Sequence, residues 1–392
     1  MNKIIIIGGL SAGPSAAAKA RREDENAEII LFEKGANISY ATCGMPYAFS
    51  GVIEDRSNLI VVKPELLKNR FNIDVRLNEE IIKIDTEHKI VFSKKGDYSY
   101  DKLIFATGAK SVVPPIKNIE KATNWSTCRS MVDFDKITKE GLTEASKHIT
   151  IIGAGLIGVE VAENLREAGK EVTLIEGDNQ VLNMWQQKFG NFAETVLKDN
   201  GIEVITSGLV SEFELDANWK ISGVKIGDKK VVKTDFVILS VGIKPNTSLL
   251  IQNGAEHIKN GALIVNEFME TSIKDVFAAG DNVAIKNLQT NKNFSDEGYL
   301  VFINTPDPNN PDDANKDGIY EVELAYVNTT PGDPKVPIPE APEVIEVSGE
   351  SQQVFELATI ETPVEEVSPD LISSDTDADG IINSRDPDDD GD

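Results

Sequence analysis

Ile149-Thr150-Ile151-Ile152-Gly153-Ala154-Gly155-Leu156-Ile157-Gly158 joins a β-branched run to three glycines in G-x-G-x-x-G spacing, and Val159–Ala168 continues it with a helical pattern. A β-branched run of this kind marks a strand buried on both faces. Glycines in this spacing permit a tight turn, a close approach of backbone to ligand, and close helix–strand packing. Val172–Ile175 reads as the next strand and closes on Glu176. Bare N–H groups at a helix start suit a pyrophosphate, and an acid about 20 residues past the turn suits ribose hydroxyls. Strand, turn, helix and acid together make Gly153, Gly155, Leu156, Ile157, Gly158 and Glu176 a dinucleotide site. Gly242, past the strand-like Phe236–Val241, belongs to it. Glu176 would repel a 2′-phosphate, which favours NADH over NADPH.

The same unit stands at the start of the chain. Lys3–Ile7 is a strand, Gly8-Gly9-Leu10-Ser11-Ala12-Gly13 is the turn, and a small-residue helix runs from Pro14 to about Glu25. Ile29–Phe32 follows and ends at Glu33-Lys34, with Leu10 standing where the second glycine is expected. Gly8, Gly9, Ser11, Ala12, Gly13, Glu33 and Lys34 are candidate nucleotide contacts. Further strand-like pieces are Ile81–Ile84, Lys89–Phe92, Leu103–Ala106, Glu203–Thr206, Val224–Ile226 and Val276–Ala279. Two of them run into turns, at Thr107-Gly108 and at Gly280-Asp281. The pattern predicts an α/β fold with two Rossmann-like dinucleotide-binding domains and ligands at the carboxyl ends of the strands.

Composition divides the chain. The formal net charge is −26, and residues 294–392 carry 26 acidic and 3 basic residues, leaving the first 293 near neutral. Eleven of the 17 prolines also fall after residue 293. There is no basic patch to attract nucleic acid or anionic lipid, and no apolar run approaches the roughly 18 residues of a membrane span. Two cysteines, Cys43 and Cys128, cannot form a disulfide scaffold, so a cytoplasmic location is expected for the body.

Cys43 lies in Ser39-Tyr40-Ala41-Thr42-Cys43-Gly44-Met45-Pro46-Tyr47, where a helix start would favour its nucleophilic thiolate. Ile38 to Arg56, with Gly8–Arg22 before it, resembles the single-cysteine branch of the pyridine nucleotide–disulfide oxidoreductases, notably coenzyme A-disulfide reductases and their NADH oxidase relatives. The likeness covers residues 1 to about 293. It implies FAD at the first turn, with Thr107, Gly108, Gly280 and Asp281 completing that site and Asp281 taking the ribityl chain. It implies NADH at the second turn and Cys43 as redox centre. Glu160 matches the family's glutamate near the flavin. Ser15, Lys19, Arg22, Ser39 and Thr42 align with positions lining the coenzyme A site. Ala48 stands where two-cysteine relatives carry the second thiol, so the resolving thiol must come from outside. Ser11 replaces the histidine of the peroxidase and water-forming oxidase branch, which points to a small-molecule disulfide over peroxide. Cys128 has no matching role. Oxygen as acceptor is the alternative within this family.

The implied segments are a FAD-binding domain in two pieces, 1–112 and 244–293, around an NAD-binding domain, 113–243. The family then adds an interface domain that builds a homodimer, and none is recognisable here. Residues 294–328 resemble a cadherin-like repeat fragment, 329–370 read as a linker, and 371–392 as an acidic tail. Asp375, Asp377, Asp379 and Asp386 have calcium-loop spacing, as in thrombospondin type 3-like repeats. The expectation is therefore a truncated reductase joined to part of an adhesion protein. A calcium-binding interaction protein with a non-catalytic body is the competing reading.

Overall fold

Consecutive isoleucines make β1 (Lys3–Ile7), in which Ile5 and Ile6 are fully buried; each such side chain contributes ~1.5–3 kcal/mol on leaving water. In the computed structural model, residues 2–227 and 230–284 are described in full, and 299–305 and 321–327 as backbone. After β1 the glycine turn leads into α1 (Ala12–Glu23) and back to β2 (Glu28–Phe32). Arg21 closes α1 by donating to the carbonyls of Asp24, Glu25, Phe71 and Asn72. Helices α2 (Met45–Phe49) and α3 (Pro64–Phe71) precede the edge strand β3 (Asp74–Arg76). An antiparallel meander of β4 (Ile81–Asp85), β5 (Ile90–Ser93) and β6 (Asp97–Ser99) comes before β7 (Lys102–Phe105) and the short β8 (Ala109–Ser111).

The second unit repeats this plan. It comprises β9 (Trp125–Thr127), α4 (Met131–Lys136), β10 (His148–Ile152), α5 (Leu156–Glu167), β11 (Glu171–Ile175), α6 (Gln187–Asp199) and β12 (Glu203–Ile205). A second meander, β13 (Val210–Leu215), β14 (Ile221–Ile226) and β15 (Lys230–Lys233), precedes β16 (Phe236–Leu239). The chain returns to the first unit through β17 (Ile243–Pro245), α7 (Ser248–Ile251) and β18 (Val276–Ala278). The first parallel sheet has the order β18-β7-β1-β2-β3 and the second β12-β11-β10-β16-β9. The crossing strands β8 and β17 pair antiparallel, Ala109 opposite Pro245. Separately, β19 (Tyr299–Thr305) and β20 (Glu321–Val327) form an antiparallel pair.

Two helix starts differ from the sequence expectation. Helix α1 begins at Ala12 rather than Pro14, and α5 at Leu156 rather than Val159. In both cases the last residues of the glycine turn already form the first helical turn. Pro14 is accommodated there because first-turn N–H groups have no intrahelical partner to lose.

Candidate functional site

The two glycine turns are built alike. Gly8 has φ +112° and Gly153 φ +101°, the region in which glycine is favoured. A Cβ on Gly8 would lie 2.1 Å from the Ala106 carbonyl oxygen, and one on Gly153 2.5 Å from that of Ser240. A Cβ on Gly13 would fall 1.9 Å from the Gly8 carbonyl oxygen, and one on Gly158 1.9 Å from that of Gly153. Above Gly155, among the described residues, only Met184 Cε comes within 4.0 Å, which leaves room for a phosphate chain over the start of α5. Ser11 and Ala12 open α1 as Leu156 and Ile157 open α5, both of the latter exposed.

Each strand-end acid is tied to its own turn. Glu33 accepts from Gly9 N at 2.9 Å and from Gly35 N at 2.6 Å. Glu176 accepts from Ala154 N at 2.7 Å and from Asp178 N at 3.0 Å. The carboxylates are thereby fixed at the ends of β2 and β11, with lone pairs to spare for hydroxyl donors.

Beside the first turn a cleft of about 900 Å³ runs from Glu33 and Lys34 past Thr107 and Gly108 to Arg129. Small-molecule pockets span ~300–1,000 Å³, so this one is roomy enough for an extended dinucleotide. Three distant segments are locked together at its edge. Thr107 Oγ1 donates to the Asn246 carbonyl at 2.7 Å, and Asn246 Nδ2 donates to the Thr107 carbonyl at 3.0 Å. The fully buried Asn282 donates to the Phe105 carbonyl at 2.8 Å and to Thr107 Oγ1 at 3.2 Å. Gly280, with φ +89°, brings the β18 exit beside the start of α1, its Cβ position 3.3 Å from that of Ala12. Asp281 pairs with Arg129 at 2.5 Å, and Arg129 Nε donates to the Ala109 carbonyl at 2.8 Å. Gly242, with φ +105°, follows β16 as Gly108, with φ +59°, follows β7.

Cys43 is exposed, in the short turn Thr42–Gly44 that leads into α2. Helix α2 docks on α5: Ser50 Oγ donates to Asn164 Oδ1 at 2.7 Å, and Asn164 Nδ2 donates to the Glu160 carbonyl at 2.9 Å. Phe49 stacks on Phe134 with ring centroids 5.4 Å apart. The neighbouring Glu160 carboxylate raises the pKa of the Tyr47 phenol, with burial, Glu163 and Cys43 adding smaller effects. The structure thus gathers Cys43, Tyr47 and Glu160 on the helix pair joining the two units. Cys128 is different: burial pushes its thiol up to about 12, so it stays protonated at neutral pH.

Ser15, Lys19 and Arg22 follow i, i+4, i+7 spacing on the exposed face of α1. Ser15 Oγ donates to the Ser11 carbonyl, and Lys19 pairs with Glu23. Ser39 is held at φ +45°, its N–H donating to the Gly9 carbonyl and its carbonyl accepting from Val61 N at 2.7 Å. Such a backbone state in a residue other than glycine costs on the order of 1–3 kcal/mol and clusters at functional sites.

Arg129, Asn246, Tyr47 and Asn164 were missed as site residues. Tyr47 ends the Cys43 segment, Asn164 falls within the helical stretch Val159–Ala168 and Asn282 adjoins Gly280-Asp281, but none carried a signal of its own. The tail carboxylates Asp375, Asp377, Asp379 and Asp386 lie outside the described residues. Among the described residues no group of three or more His, Cys, Asp or Glu could hold a metal ion, and no helix is long and apolar enough to cross a membrane.

Residues 2–298 match the model for pyridine nucleotide-disulphide oxidoreductases. The chain belongs to that family. It is 32% identical over 300 residues to an NADH oxidase of Enterococcus faecalis (strain ATCC 700802 / V583), with 74% of the chain and 66% of the relative covered. It is 31% identical over 289 residues to a coenzyme A disulfide reductase of Staphylococcus aureus (strain JH9), with 72% and 63% covered. The crystal structure of reduced Bacillus anthracis CoADR-RHD superposes with a TM-score of 0.71 at 36% identity, over 74% of this chain and 53% of that one. The chain thus spans just under two thirds of the length of these curated relatives.

Proposed function

We propose that the chain is an FAD-dependent oxidoreductase that carries electrons from NADH to a small-molecule disulfide, with Cys43 as the redox centre. The observation that carries this reading is the exposed Cys43 on the segment docked by Ser50–Asn164 against α5, between the first glycine turn and the helix that starts at the second. The relatives named as an NADH oxidase and a coenzyme A disulfide reductase support it.

The residues fit both cofactors, because Gly8, Gly13, Gly153 and Gly158 leave no room for a Cβ where each turn must stay tight. FAD, when bound, supplies two-electron hydride chemistry between NADH and a sulfur. In the first unit Glu33 and Lys34 would hold its adenosine end, Thr107 and Gly108 would line its path, and Asp281, with Arg129, would meet its ribityl chain. In the second, the start of α5 would take the NADH pyrophosphate and Glu176 the ribose. The Cys43 thiolate attacks one sulfur of the disulfide, forming a mixed disulfide and releasing one thiolate, which takes a proton. Two electrons from NADH break that bond, release the second thiol and regenerate Cys43. The sum is RSSR + NADH + H⁺ → 2 RSH + NAD⁺. Ser15, Lys19 and Arg22 would line the path of a long phosphorylated thiol such as coenzyme A, Arg22 being suited to a phosphate.

An absorbance spectrum before and after NADH tests the cofactors: a flavin band that bleaches is expected. Coenzyme A disulfide then tests the acceptor. Cys43→Ser is expected to abolish disulfide reduction while NADH still bleaches the flavin. Undiminished disulfide turnover in that variant would refute the role of Cys43. NADH consumption that tracks oxygen and ignores the disulfide would move the reading to an oxidase.

A further inference from the structure

Behind each strand-end acid the two units share a second backbone clamp. In the second unit Glu176 N donates to the Ile205 carbonyl at 2.8 Å, Ser207 N to that of Asp178 at 2.6 Å, and Gly208 N to that of Glu176 at 2.8 Å. In the first, Glu33 N donates to the Arg76 carbonyl at 2.9 Å, Asn78 N to that of Gly35 at 3.0 Å, and Glu79 N to that of Glu33 at 3.0 Å. Asn78 and Ser207 even share a left-handed backbone, with φ +52° and +53°. The correspondence runs residue for residue, and it sets Glu79 where the other unit has Gly208.

The two clamps are anchored by opposite chemistry. A Cβ on Gly208 would meet Ile175 and Ile205 at 3.1 Å and Ile226 of β14 at 3.4 Å, so that loop closes on apolar side chains. Glu79 is 5% exposed and turns its carboxylate into the first meander. Its Oε1 accepts from Ser93 Oγ at 2.6 Å and from Tyr98 Oη at 2.8 Å, and Lys95 Nζ lies 3.8 Å from Oε2. Arg76 donates to Tyr98 Oη at 2.9 Å and stands 4.9 Å from the centroid of its ring. A carboxylate is seldom buried without such partners, and nothing in the dinucleotide pattern calls for one here.

We propose that Glu79 is a positioning residue for the FAD site: its buried carboxylate anchors residues 76–79 to β5 and β6, and the backbone clamp passes that anchorage to Glu33. This rests on reading the first turn as the FAD site. The adjacent Glu80 lines the cleft, so the same loop forms part of its wall.

The test is titration of the full-length apoprotein with FAD and, separately, with NADH, the second unit serving as internal control. Glu79→Ala leaves the Ser93 and Tyr98 hydroxyls without their shared acceptor. It is expected to raise the FAD dissociation constant about tenfold and to leave that for NADH within about twofold. Glu79→Gln keeps an acceptor oxygen and is expected to restore FAD affinity to within about threefold of the parent. Unchanged FAD affinity in Glu79→Ala would overturn the proposal, as would equal weakening at both sites or a Gln variant no better than Ala. If Glu79→Ala does not fold, Ser93→Ala carries the test with the same selective loss expected, and intact FAD affinity there overturns it. A parent chain that binds NADH but no FAD would remove the underlying reading and the proposal with it. A parent that binds FAD, with insensitive variants, overturns the positioning role alone.

Discussion

The first and second dinucleotide units differ least where backbone meets backbone and most where side chains finish the job. Gly8/Gly13 and Gly153/Gly158 create the same carbonyl contacts, and Glu33 and Glu176 reach back to their turns in the same way. Even the strand starts agree: Asp101 accepts from Lys3 N at 2.7 Å, and Asp235 accepts from His148 N at 2.9 Å. Leu10, by contrast, occupies the place of Gly155. Among the described residues the space around Gly155 is open, so packing within the fold does not require a glycine there. Both units keep the glycines their own backbones demand and differ at the one position where the backbone makes no such demand.

The comparison breaks most sharply at the helix-side glycines. Gly13→Ala puts a Cβ onto the Gly8 carbonyl, and Gly158→Ala does the same to that of Gly153. Each is expected to weaken its own nucleotide about 100-fold, some 2.7 kcal/mol, with the other site intact; paired FAD and NADH titrations check this. The acids come next. Glu33→Ala should cost FAD about tenfold and Glu176→Ala should cost NADH about tenfold, each losing charge-assisted hydrogen bonds to ribose. Glu176→Ala should also narrow the preference for NADH over NADPH, since the like charge facing a 2′-phosphate is gone. Leu10→Gly sharpens the contrast: FAD affinity should change by less than about threefold, the loss being mainly the backbone entropy of an added glycine.

The glycines and acids could be read from sequence because steric demand and strand ends impose local spacing. Helix starts were displaced by two or three residues because glycine turns hide the first helical turn inside themselves. The polar locks left no trace. Thr107 meets Asn246 across 139 residues, Arg129 meets Asp281 across 152, and Ser50 meets Asn164 across 114. Contacts at such separations have no period to betray them, and each member alone looks like an ordinary loop polar residue. Cys43 stands out through family resemblance, but the docking of its segment through Ser50 and Asn164 depends on how α2 crosses α5.

The smallest expected effect comes from a corner the two units solve differently. The residue before β18 is Asp275 and the residue before β9 is Asn124; each ties its meander to the start of the central strand beside it. Asn124 does so as a buried neutral amide, donating to the Ile221 and Asp235 carbonyls and accepting from Ile221 N. Asp275 does so with charge, accepting from Lys102 Nζ and Lys89 Nζ at 2.6 Å each. Hydrogen bonds from Lys102 and Lys89 hold its carboxyl down at about 2. A carboxyl depressed on folding adds stability that is complete above its unfolded pKa of about 4, and that stability fades as pH falls through the folded value. The first unit should therefore loosen between about pH 4 and 2 through a group the second unit lacks. Asp275→Asn is expected to lower stability modestly at neutral pH and to flatten that acid limb, followed by thermal unfolding across pH 2–6. An acid limb as steep in the variant as in the parent would mean that the two corners, charged and neutral, respond to acid alike.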